Sequence, residues 1–538
     1  MPARAASTSP SAHARPRRRV VAALCAALML LPAAPVRAQH NLPALGDSAS
    51  EDLNVGTERR IGDQVMREIR RDPDYLDDPL LLEYLQGVWA PLVAQARGLG
   101  SIDAEIDARF AWEAFLVRDR SINAFALPGG YVGVHLGLIA MTSTRDELAS
   151  VLAHEMTHVT QRHIARSVTN SKRQSLIGLA ALFLGVLAAA RANSADGAQA
   201  AIVGSQAATM QGQLNFSRDM EREADRIGFQ VMTAAGFAPG GMASMFEKLD
   251  HASHLNDSGN YPYLRSHPLT SERIGEARAR AGEGVRARPV MGAAPPPSAL
   301  EHVLAQARAR VLMDTRVDAL RRWQALDAER NGAGANEQLG NAATSALAST
   351  LLRDFDRADR SLERARQLVG AVPRNDARAQ RAVALLGVQS ALARGDVPRA
   401  AAALQPYAND ASRPVALLSA QLALAGAPQV TKDDPALRRS AEDLQTRVAA
   451  SPSDGLAWAT LGQVWSRLGQ PLRSLRAEAE AQYAGGDLPG AIERLRAGQR
   501  LARSGGPADF IDASVIDARM RDIDAQLKQL FADERNNR

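Results

Sequence analysis

The stretch that decides the fold is DELASVLAHEMTHVTQRHIAR, which spans residues 146–166. Inside it, His154 and His158 are four residues apart, and Glu155 follows the first of them. Residues four apart on a helix stand one turn above each other, so both imidazoles project from one face and can bind a single Zn²⁺ ion. Glu155 then lies beside the metal, where it can deprotonate a bound water. The stretch therefore predicts a hydrolytic zinc site.

The residues just before and inside this stretch predict where its helix begins. Thr144, followed three residues later by Glu147, has the form of a capping box, in which each side chain accepts a backbone N–H near the start of the helix. The sequence therefore predicts one continuous helix from Asp146 to Arg166.

A catalytic zinc ion needs a third protein ligand and one open position. A second predicted helix, capped by Ser217, carries Glu221 and Asp225 one turn apart on one face. We predict that Glu221 is the third ligand and that Asp225 accepts a hydrogen bond from a zinc-bound imidazole. His163 does not satisfy the spacing of the metzincin class, so it is predicted to be a structural neighbour. Glu223 is the next candidate for the third ligand.

The first 38 residues have the pattern of a secretory signal peptide, with an arginine-rich start, an apolar run over residues 20–31 and small residues before Ala38. Cleavage after Ala38 is the preferred interpretation. A twin-arginine route, a retained anchor and a lipoprotein modified at Cys25 are the weaker alternatives.

Removing this leader changes what charge and cysteine content imply. The leader holds six Arg and no Asp, Glu or Lys, so the formal net charge falls from +5 to −1. Net charge therefore gives no support for nucleic-acid binding. Cys25 is the only cysteine, and a mature chain without thiols suits an oxidising compartment such as the periplasm.

A chain of 538 residues is too long for one typical core. Its composition changes along its length, from mixed helix and strand patterns to segments rich in Ala, Leu and Arg at helical spacing. We predict five segments: a signal peptide at 1–38, a metallopeptidase domain at 39–285, a Pro-rich linker at 286–297, helical repeats at 298–505, and a C-terminal helix and tail at 506–538.

The repeat region carries two recurring signals. Trp458, Leu461 and Gly462 have the spacing that begins a tetratricopeptide unit, and the form Gly-Asp-x-Pro-x-Ala occurs at 395–400 and again at 486–491. In this form Pro opens the second helix of a hairpin. An unspecialised helical bundle is the alternative, because the intervals between the signals are irregular.

Four motifs in the order found here resemble the M48 metallopeptidases: the segment Asn123–Gly130, the HExxH motif, Glu221 with Asp225, and the segment Ser266–Ile274. The resemblance covers about residues 53–280. It implies an α+β gluzincin-like metalloprotease domain followed by an all-α tetratricopeptide-like solenoid, with one Zn²⁺ per chain.

With its leader and repeats, the chain is similar to the periplasmic members of that family. The resemblance implies cleavage of misfolded or stalled outer-membrane proteins, and contact with the outer-membrane assembly machinery through the repeats. A mainly non-proteolytic chaperone or adaptor with a latent zinc site is the alternative. An integral-membrane M48 enzyme is disfavoured, because no stretch of the mature chain is long enough to span a bilayer.

The resemblance also places His267 near the zinc. Three roles stay open: a fourth ligand that silences the site, a group that stabilises the oxyanion, or a packing residue. A small sheet is predicted over the active helix, and an exposed edge there can pair with an extended substrate. The predicted substrate-binding residues are Asn123, Ala124, Phe125 and Ala126.

Two further features remain open. Residues 176–190 form an apolar stretch without a charge, predicted to be a buried or lid helix, with peripheral membrane contact and membrane insertion as alternatives. His251 and His254 lie one turn apart and are predicted to be surface residues rather than metal ligands.

Overall fold

The computed structural model describes residues 53–168, 217–255, 262–282, 298–328, 334–371, 376–503 and 510–536. The predicted leader with Cys25, the apolar stretch at 176–190 and the linker at 286–297 lie outside these residues, so those predictions are not tested by the structure.

Helices and a small sheet make up the described chain as far as residue 282. The elements are α1 (Val55–Arg71), β1 (Tyr75–Leu76), α2 (Pro79–Gly98), α3 (Ala104–Arg109), β2 (Glu113–Val117), β3 (Ala124–Leu127), β4 (Tyr131–His135), α4 (Leu136–Met141), α5 (Arg145–Thr160), α6 (His163–Val168), α7 (Arg218–Ala234), α8 (Gly240–Leu255), α9 (Pro262–Ser266) and α10 (Ser271–Gly282).

Beyond residue 298 the described chain is helical throughout. Its α-helices are α11 (Ala299–Leu312), α12 (Val317–Ala325), α13 (Ala335–Leu351), α14 (Phe355–Gly370), α15 (Ala377–Arg394), α16 (Val397–Leu404), α17 (Arg413–Gly426), α18 (Pro435–Ala450), α19 (Gly455–Arg467), α20 (Pro471–Ala484), α21 (Leu488–Ala502) and α22 (Phe510–Asn536). A mostly helical chain with a small sheet in its N-terminal part and a helical C-terminal region confirms the predicted fold class at that level.

The sheet has the strand order β1-β2-β4-β3. β2 and β4 are parallel, whereas β1 pairs antiparallel with β2, and β3 pairs antiparallel with β4. Gly133 on β4 faces Phe125 on β3, and a Cβ at this glycine would lie 2.3 Å from the Phe125 ring. The Phe125 ring can therefore approach β4 this closely only because the opposite position has no side chain.

The helix predicted over residues 146–166 is in fact two helices. Thr144 caps α5 as predicted, since its hydroxyl accepts the N–H of Glu147. The Glu147 carboxylate accepts the N–H of Ser143 rather than that of Thr144, so the capping box is only half formed. The helix ends at Thr160, because Arg162 adopts a left-handed backbone conformation with φ 51°.

Helix α5 is the centre of the hydrophobic core. All but its first two residues are buried, and it packs against α7, α8 and β3. The same core continues past the predicted linker, because Ala305 and Ala309 of α11 belong to it. His302 fixes this contact by accepting the Tyr84 hydroxyl at Nδ1 (2.5 Å) and donating from Nε2 to the Thr142 carbonyl (3.1 Å).

The recurring Gly-Asp-x-Pro-x-Ala form makes the same turn twice. Gly395 and Gly486 both have φ 83°, a conformation that favours glycine. Asp396 and Asp487 then cap α16 and α21, each accepting the backbone N–H three residues later. Proline stands in the first turn of both helices, as predicted. Among the helices that the structure describes, none combines the length and the apolarity needed to cross a bilayer.

Candidate metal centre

Four buried side chains converge between α5, α7 and the segment after α9. His154, His158, Glu221 and His267 each offer one ligand atom, and these atoms all lie within 4.8 Å of one another. None of the four residues is more than 2% exposed. The Nε2 atoms of His154 and His158 are 3.0 Å apart. The structure thus brings together the three residues predicted as ligands, and it adds His267 to them.

Two helices carry the predicted ligands, and a glycine lets them approach. Gly228 on α7 faces the backbone of Ala153 on α5, and a Cβ at Gly228 would lie 3.1 Å from the Ala153 carbonyl. Ser217 caps α7 as predicted, accepting the N–H of Met220 at 3.2 Å. Close helix packing therefore places Glu221 opposite the two histidines of α5.

Asp225 forms a hydrogen bond with the ring nitrogen of His154 that faces away from the cluster. The His154 Nδ1–H donates to Asp225 Oδ1 at 2.9 Å, which leaves Nε2 facing the cluster. Arg273 was not among the predicted site residues. Its guanidinium group donates to both oxygens of Asp225, at 2.7 and 2.8 Å, and its Nη1 lies 2.9 Å from Glu221 Oε2. Burial disfavours a charged His154, but the adjacent carboxylates prevail and raise its pKa to about 10.

His163 holds the second histidine of α5. Its Nδ1 lies 2.9 Å from His158 Nδ1, and its Nε2 lies 3.0 Å from Glu223 Oε2. Arg166 donates to the same Glu223 oxygen at 2.9 Å. The structure places His163 and Glu223 outside the four-residue cluster, so neither takes the alternative ligand position considered from the sequence. His163 is a neighbour in direct contact with a cluster imidazole.

Glu155 lies beside the cluster with an unsatisfied carboxylate. It is fully buried, and neither of its oxygens accepts a hydrogen bond of normal geometry within the described chain. Burial raises its pKa, while His267 and His154 act in the opposite direction. An orphaned buried carboxylate next to three nitrogens and a second carboxylate fits a divalent cation with a water ligand, and imidazole with carboxylate is a ligand set suited to Zn²⁺.

His267 enters the cluster from the loop after α9. Its Nδ1 lies 3.0 Å from Glu221 Oε1, and its Nε2 is 3.5 Å from Glu155 Oε1. The ring stacks on Tyr263, with the ring centroids 4.8 Å apart. The Thr270 hydroxyl then accepts the N–H of Arg273 at the start of α10. His267 therefore contacts both the proposed base and a proposed ligand.

The predicted substrate segment forms β3, beside α5. Within the described residues β3 pairs on one side only, with β4. Asn123 and Ala124 are buried, whereas Phe125 and Ala126 are partly exposed. The backbone of Ala126 lies close enough to Glu155 to lower the pKa of that carboxyl, against the larger effect of burial. The open edge of β3 thus runs along the candidate metal centre.

The two histidines of α8 were predicted to be surface residues rather than metal ligands. His251 is exposed on α8. The side chain of His254 lies outside the described part of the structure.

Comparison with known proteins agrees with this geometry. Residues 96–281 match Peptidase family M48. The chain is 38% identical over 290 residues to the putative beta-barrel assembly-enhancing protease of Vibrio cholerae, covering 54% of this chain and 56% of that protein. It is 36% identical over 271 residues to the beta-barrel assembly-enhancing protease of Escherichia coli, covering 50% and 53%.

A more distant relative is a mitochondrial protein. The chain is 34% identical over 174 residues to the mitochondrial metalloendopeptidase OMA1 of Schizosaccharomyces pombe, covering 30% of this chain and 44% of that protein. The chain spans about half the length of the curated beta-barrel assembly-enhancing proteases it matches. The resemblance inferred from the motifs is therefore confirmed for the region that contains them.

Proposed function

We propose that the protein is a zinc-dependent endopeptidase, on the premise that residues 96–281 match Peptidase family M48. The observation that carries the proposal is the buried cluster of four ligand atoms, with the Glu155 carboxylate beside it accepting no hydrogen bond of normal geometry within the described chain. His154, His158 and Glu221 would hold one zinc ion, which leaves the place of His267 for water or substrate.

The bound metal would supply Lewis-acid polarisation of the peptide carbonyl and a more acidic water. In the proposed mechanism Glu155 accepts the proton of the attacking water and passes it to the leaving amine. Burial raises the pKa of Glu155 and so makes its carboxylate a stronger base. Asp225, itself fixed by Arg273, keeps the His154 ring oriented with Nε2 toward the metal.

The open edge of β3 supports a proposed path for the substrate. An extended polypeptide can add to this edge as another strand, using backbone hydrogen bonds that do not depend on its side chains. Because Ala126 of β3 lies next to Glu155, a strand bound there would pass close to the base. This placement suits an endopeptidase acting on unfolded chains.

The finer architecture is also part of the proposal. We assign the M48 region to a gluzincin-like fold, and the helices from α11 to α21 to a tetratricopeptide-like solenoid. Support for the solenoid comes from the successive packing of neighbouring helices and from the two identical Gly-Asp-x-Pro-x-Ala turns. The domain limits at 39–285, 286–297, 298–505 and 506–538 remain proposals.

We further propose that the protein acts in the periplasm on misfolded or stalled outer-membrane proteins, with the helical region binding the assembly machinery. The names of the two beta-barrel assembly-enhancing relatives support this choice. The predicted signal peptide is consistent with export. Membrane contact through residues 176–190 remains part of the hypothesis.

The experiment that tests the proposed activity uses Glu155→Gln. We expect this variant to bind zinc and fold like the unchanged protein, but to lose cleavage of an unfolded outer-membrane protein by at least about 100-fold, because it removes the base and keeps the ligands. Zinc content, thermal unfolding and product formation on a gel measure the three properties. A chelator added to the unchanged protein should abolish the same product.

One observation favours a second function, that of a chaperone or adaptor. His267 lies within ligand distance of the cluster, and a zinc site closed by four protein ligands has no water to activate. If the unchanged, zinc-loaded protein prevents aggregation of the unfolded substrate without cutting it, the adaptor function is correct and the peptidase proposal is wrong.

A further inference from the structure

A large cleft lies away from the metal centre, between α1 and the last helices of the chain. Its volume is about 1140 Å³. Residues of α1 and the first residues of β2 and β4 form one wall, and residues of α20, α21 and α22 form the other. None of the four residues of the metal cluster lines it. The cleft is therefore a second concave site on the molecule.

Positive charge dominates this cleft. Five arginines line it, against two carboxylates: Arg59, Arg60, Arg67, Arg70 and Arg519, against Asp63 and Glu113. Both lining carboxylates are already paired, Asp63 with Arg59 at 2.7 Å and Glu113 with Arg70 at 2.8 Å. Arg519 is paired with Glu480, at 2.8 Å.

Within the described ranges, two of the five guanidinium groups have no carboxylate partner. Arg60 donates only to the Thr57 hydroxyl, at 2.8 Å, and Arg67 forms no ion pair with any residue in the described ranges. Both lie on α1, seven residues apart and hence on the same side of the helix. The cleft thus offers two cations, about two helical turns apart, for an anionic ligand.

The remaining lining suits a polypeptide. It combines aromatic rings and apolar side chains with the amides of Gln64 and Gln526. Arg519 stacks over the Tyr483 ring at 4.4 Å, and the Tyr483 hydroxyl donates to Gln526 at 2.8 Å. Amides can bond an extended backbone, and flat apolar surfaces can take its alternate side chains. The volume also exceeds that of most small-molecule pockets.

The two walls are held at a fixed distance. Gly486, in the turn between α20 and α21, touches the backbone of Arg67, and a Cβ there would lie 2.5 Å from the Arg67 carbonyl oxygen. The contact is possible only for glycine, which also supplies the φ of 83° that the turn needs. The two walls of the cleft are therefore in contact without a bound ligand.

We propose that this cleft binds an extended acidic segment of a polypeptide, whose carboxylates pair with Arg60 and Arg67. The inference rests on the proposed function only in that the partner is a protein, since the cleft shares no residue with the metal centre. A planar anionic membrane is a poorer fit, because the two guanidinium groups line a cleft between two parts of the chain.

The test uses the zinc-loaded full-length protein carrying Glu155→Gln, so that the probe stays intact. The probe is a fluorescein-labelled peptide of about twelve residues with alternating Glu and Leu, and fluorescence anisotropy reports its binding. We expect the double variant Arg60→Gln with Arg67→Gln to weaken binding by roughly 10-fold or more, because two charge-assisted contacts are lost. Raising NaCl from about 50 mM to about 300 mM should weaken binding to the parent protein more than to the double variant.

A matched control keeps the change in net charge equal. Arg321 and Arg360 are exposed on α12 and α14, and neither forms an ion pair within the described chain. The double variant Arg321→Gln with Arg360→Gln should bind the probe as the parent does. A probe in which Gln replaces every Glu should bind the parent at least about 10-fold more weakly.

Three outcomes would overturn the proposal: equal binding by the Arg60/Arg67 variant and the control variant, equal binding of the Glu and Gln probes, or Arg60- and Arg67-dependent binding of phosphatidylglycerol vesicles in place of the peptide. If the unchanged protein does not cleave its substrate but the probe still binds, the peptidase proposal is wrong and the assignment of the cleft is unaffected. Thermal unfolding of both double variants shows that the comparison is made on folded protein.

Discussion

At the level of single residues, the two imidazoles of α5 are oriented by different partners. A carboxylate receives the Nδ1–H of His154 directly, whereas the Nδ1 of His158 faces another imidazole, that of His163. For His158 to present an unprotonated Nε2 to a metal, its proton must lie on Nδ1 and point at His163. His163 then carries its own proton on Nε2, where Glu223 accepts it. Glu223 thus sets both tautomers.

This proton arrangement predicts a defined effect of His163→Ala. We expect zinc affinity to fall about 10 to 100-fold, because His158 loses the partner that fixes its tautomer and ring orientation. Competition with a chromogenic chelator measures the affinity independently of cleavage. His163→Asn, which keeps a polar group near His158, should recover part of the loss. The exposed His251→Ala is the control and should bind zinc normally. A His163→Ala protein with unchanged affinity would contradict the prediction.

His267 has three possible roles, and its contacts now favour one of them. The imidazole meets Glu221 and His154 at 3.0 and 3.3 Å, which is the position of a fourth ligand. We therefore expect His267→Ala to raise cleavage several-fold at saturating zinc, since a position on the metal becomes available to water.

The same variant separates the alternatives. A fall in turnover at unchanged zinc content would mean that His267 stabilises the oxyanion instead. Equal activity would leave it the packing role suggested by its stacking on Tyr263. Self-cleavage of the purified His267→Ala protein, followed on a gel, would also indicate that the imidazole of His267 normally blocks the metal site.

At the level of elements, a partly buried ion pair stabilises the break between α5 and α6. Arg162, at the break, donates to Glu58 of α1 at 3.0 Å and also to the Leu53 carbonyl. Burial raises the pKa of Glu58 from 4.5 to about 7, despite the opposing effect of Arg162. The contact ties the first described helix to the end of the helix that carries the two histidines.

The raised pKa of Glu58 predicts a pH-dependent stability. The folded protein holds this proton more tightly than the unfolded chain, so the contribution is fully present below about pH 4.5 and is lost as the pH rises through about 7. We expect the free energy of unfolding to fall between about pH 5 and pH 8, with Glu58 accounting for on the order of 1 to 3 kcal/mol.

Urea unfolding of Glu58→Gln tests this contribution. The variant should show a flatter dependence on pH than the unchanged protein over that range, because the titrating group is gone. Glu68→Gln removes an exposed carboxylate from the same helix and should leave the pH profile unchanged. Parallel profiles for Glu58→Gln and the unchanged protein would show that Glu58 does not titrate there.

The sequence predicted the features that depend on helical spacing. His154, His158, Glu221 and Asp225 meet because their spacing along two helices is local information. The contact of His163 with His158 was not predictable, because it requires the left-handed conformation of Arg162, a non-glycine residue that carries no turn signal. Arg273 reaches Asp225 only through tertiary packing, and its place in the Ser266–Ile274 segment was the one available hint.

At the level of the whole molecule, the helical region that begins with α11 packs directly against the N-terminal region of residues 53–282, which contains the candidate metal centre. Within the described residues four ion pairs join them: Arg308 with Asp78 at 2.6 Å, Arg381 with Glu83 at 2.7 Å, Arg413 with Asp77 at 2.7 Å, and Arg120 with Asp314. The first of them uses the same aspartate that caps α2, because Asp78 also accepts the N–H of Leu81. Alanine-rich helices look alike in sequence, so nothing in the chain marked α11 as the one that joins the core.

This packing predicts where the chain can be divided. A fragment of residues 53–285 lacks α11, which leaves Tyr84 and the Thr142 carbonyl without His302 and exposes apolar core. We expect it to unfold at a temperature lower by several degrees than a fragment of residues 53–316, which keeps α11. Calorimetry of both fragments measures the difference. If the shorter fragment is equally stable, and cleaves an unstructured peptide equally well, α11 belongs functionally to the repeats.

The contact between Gly486 and the backbone of Arg67 bears on how this protein can evolve. Tandem helical arrays usually gain and lose units easily, because each unit meets only its neighbours. Here the helical array contacts the N-terminal region at its beginning, through α11, and again at the turn after α20, through Gly486. Duplicating or deleting one hairpin between these two points would move Gly486 away from α1 and break its contact with Arg67. The number of hairpins is therefore constrained, as the strand number of a closed barrel is, because both contacts with the N-terminal region must form at the same time.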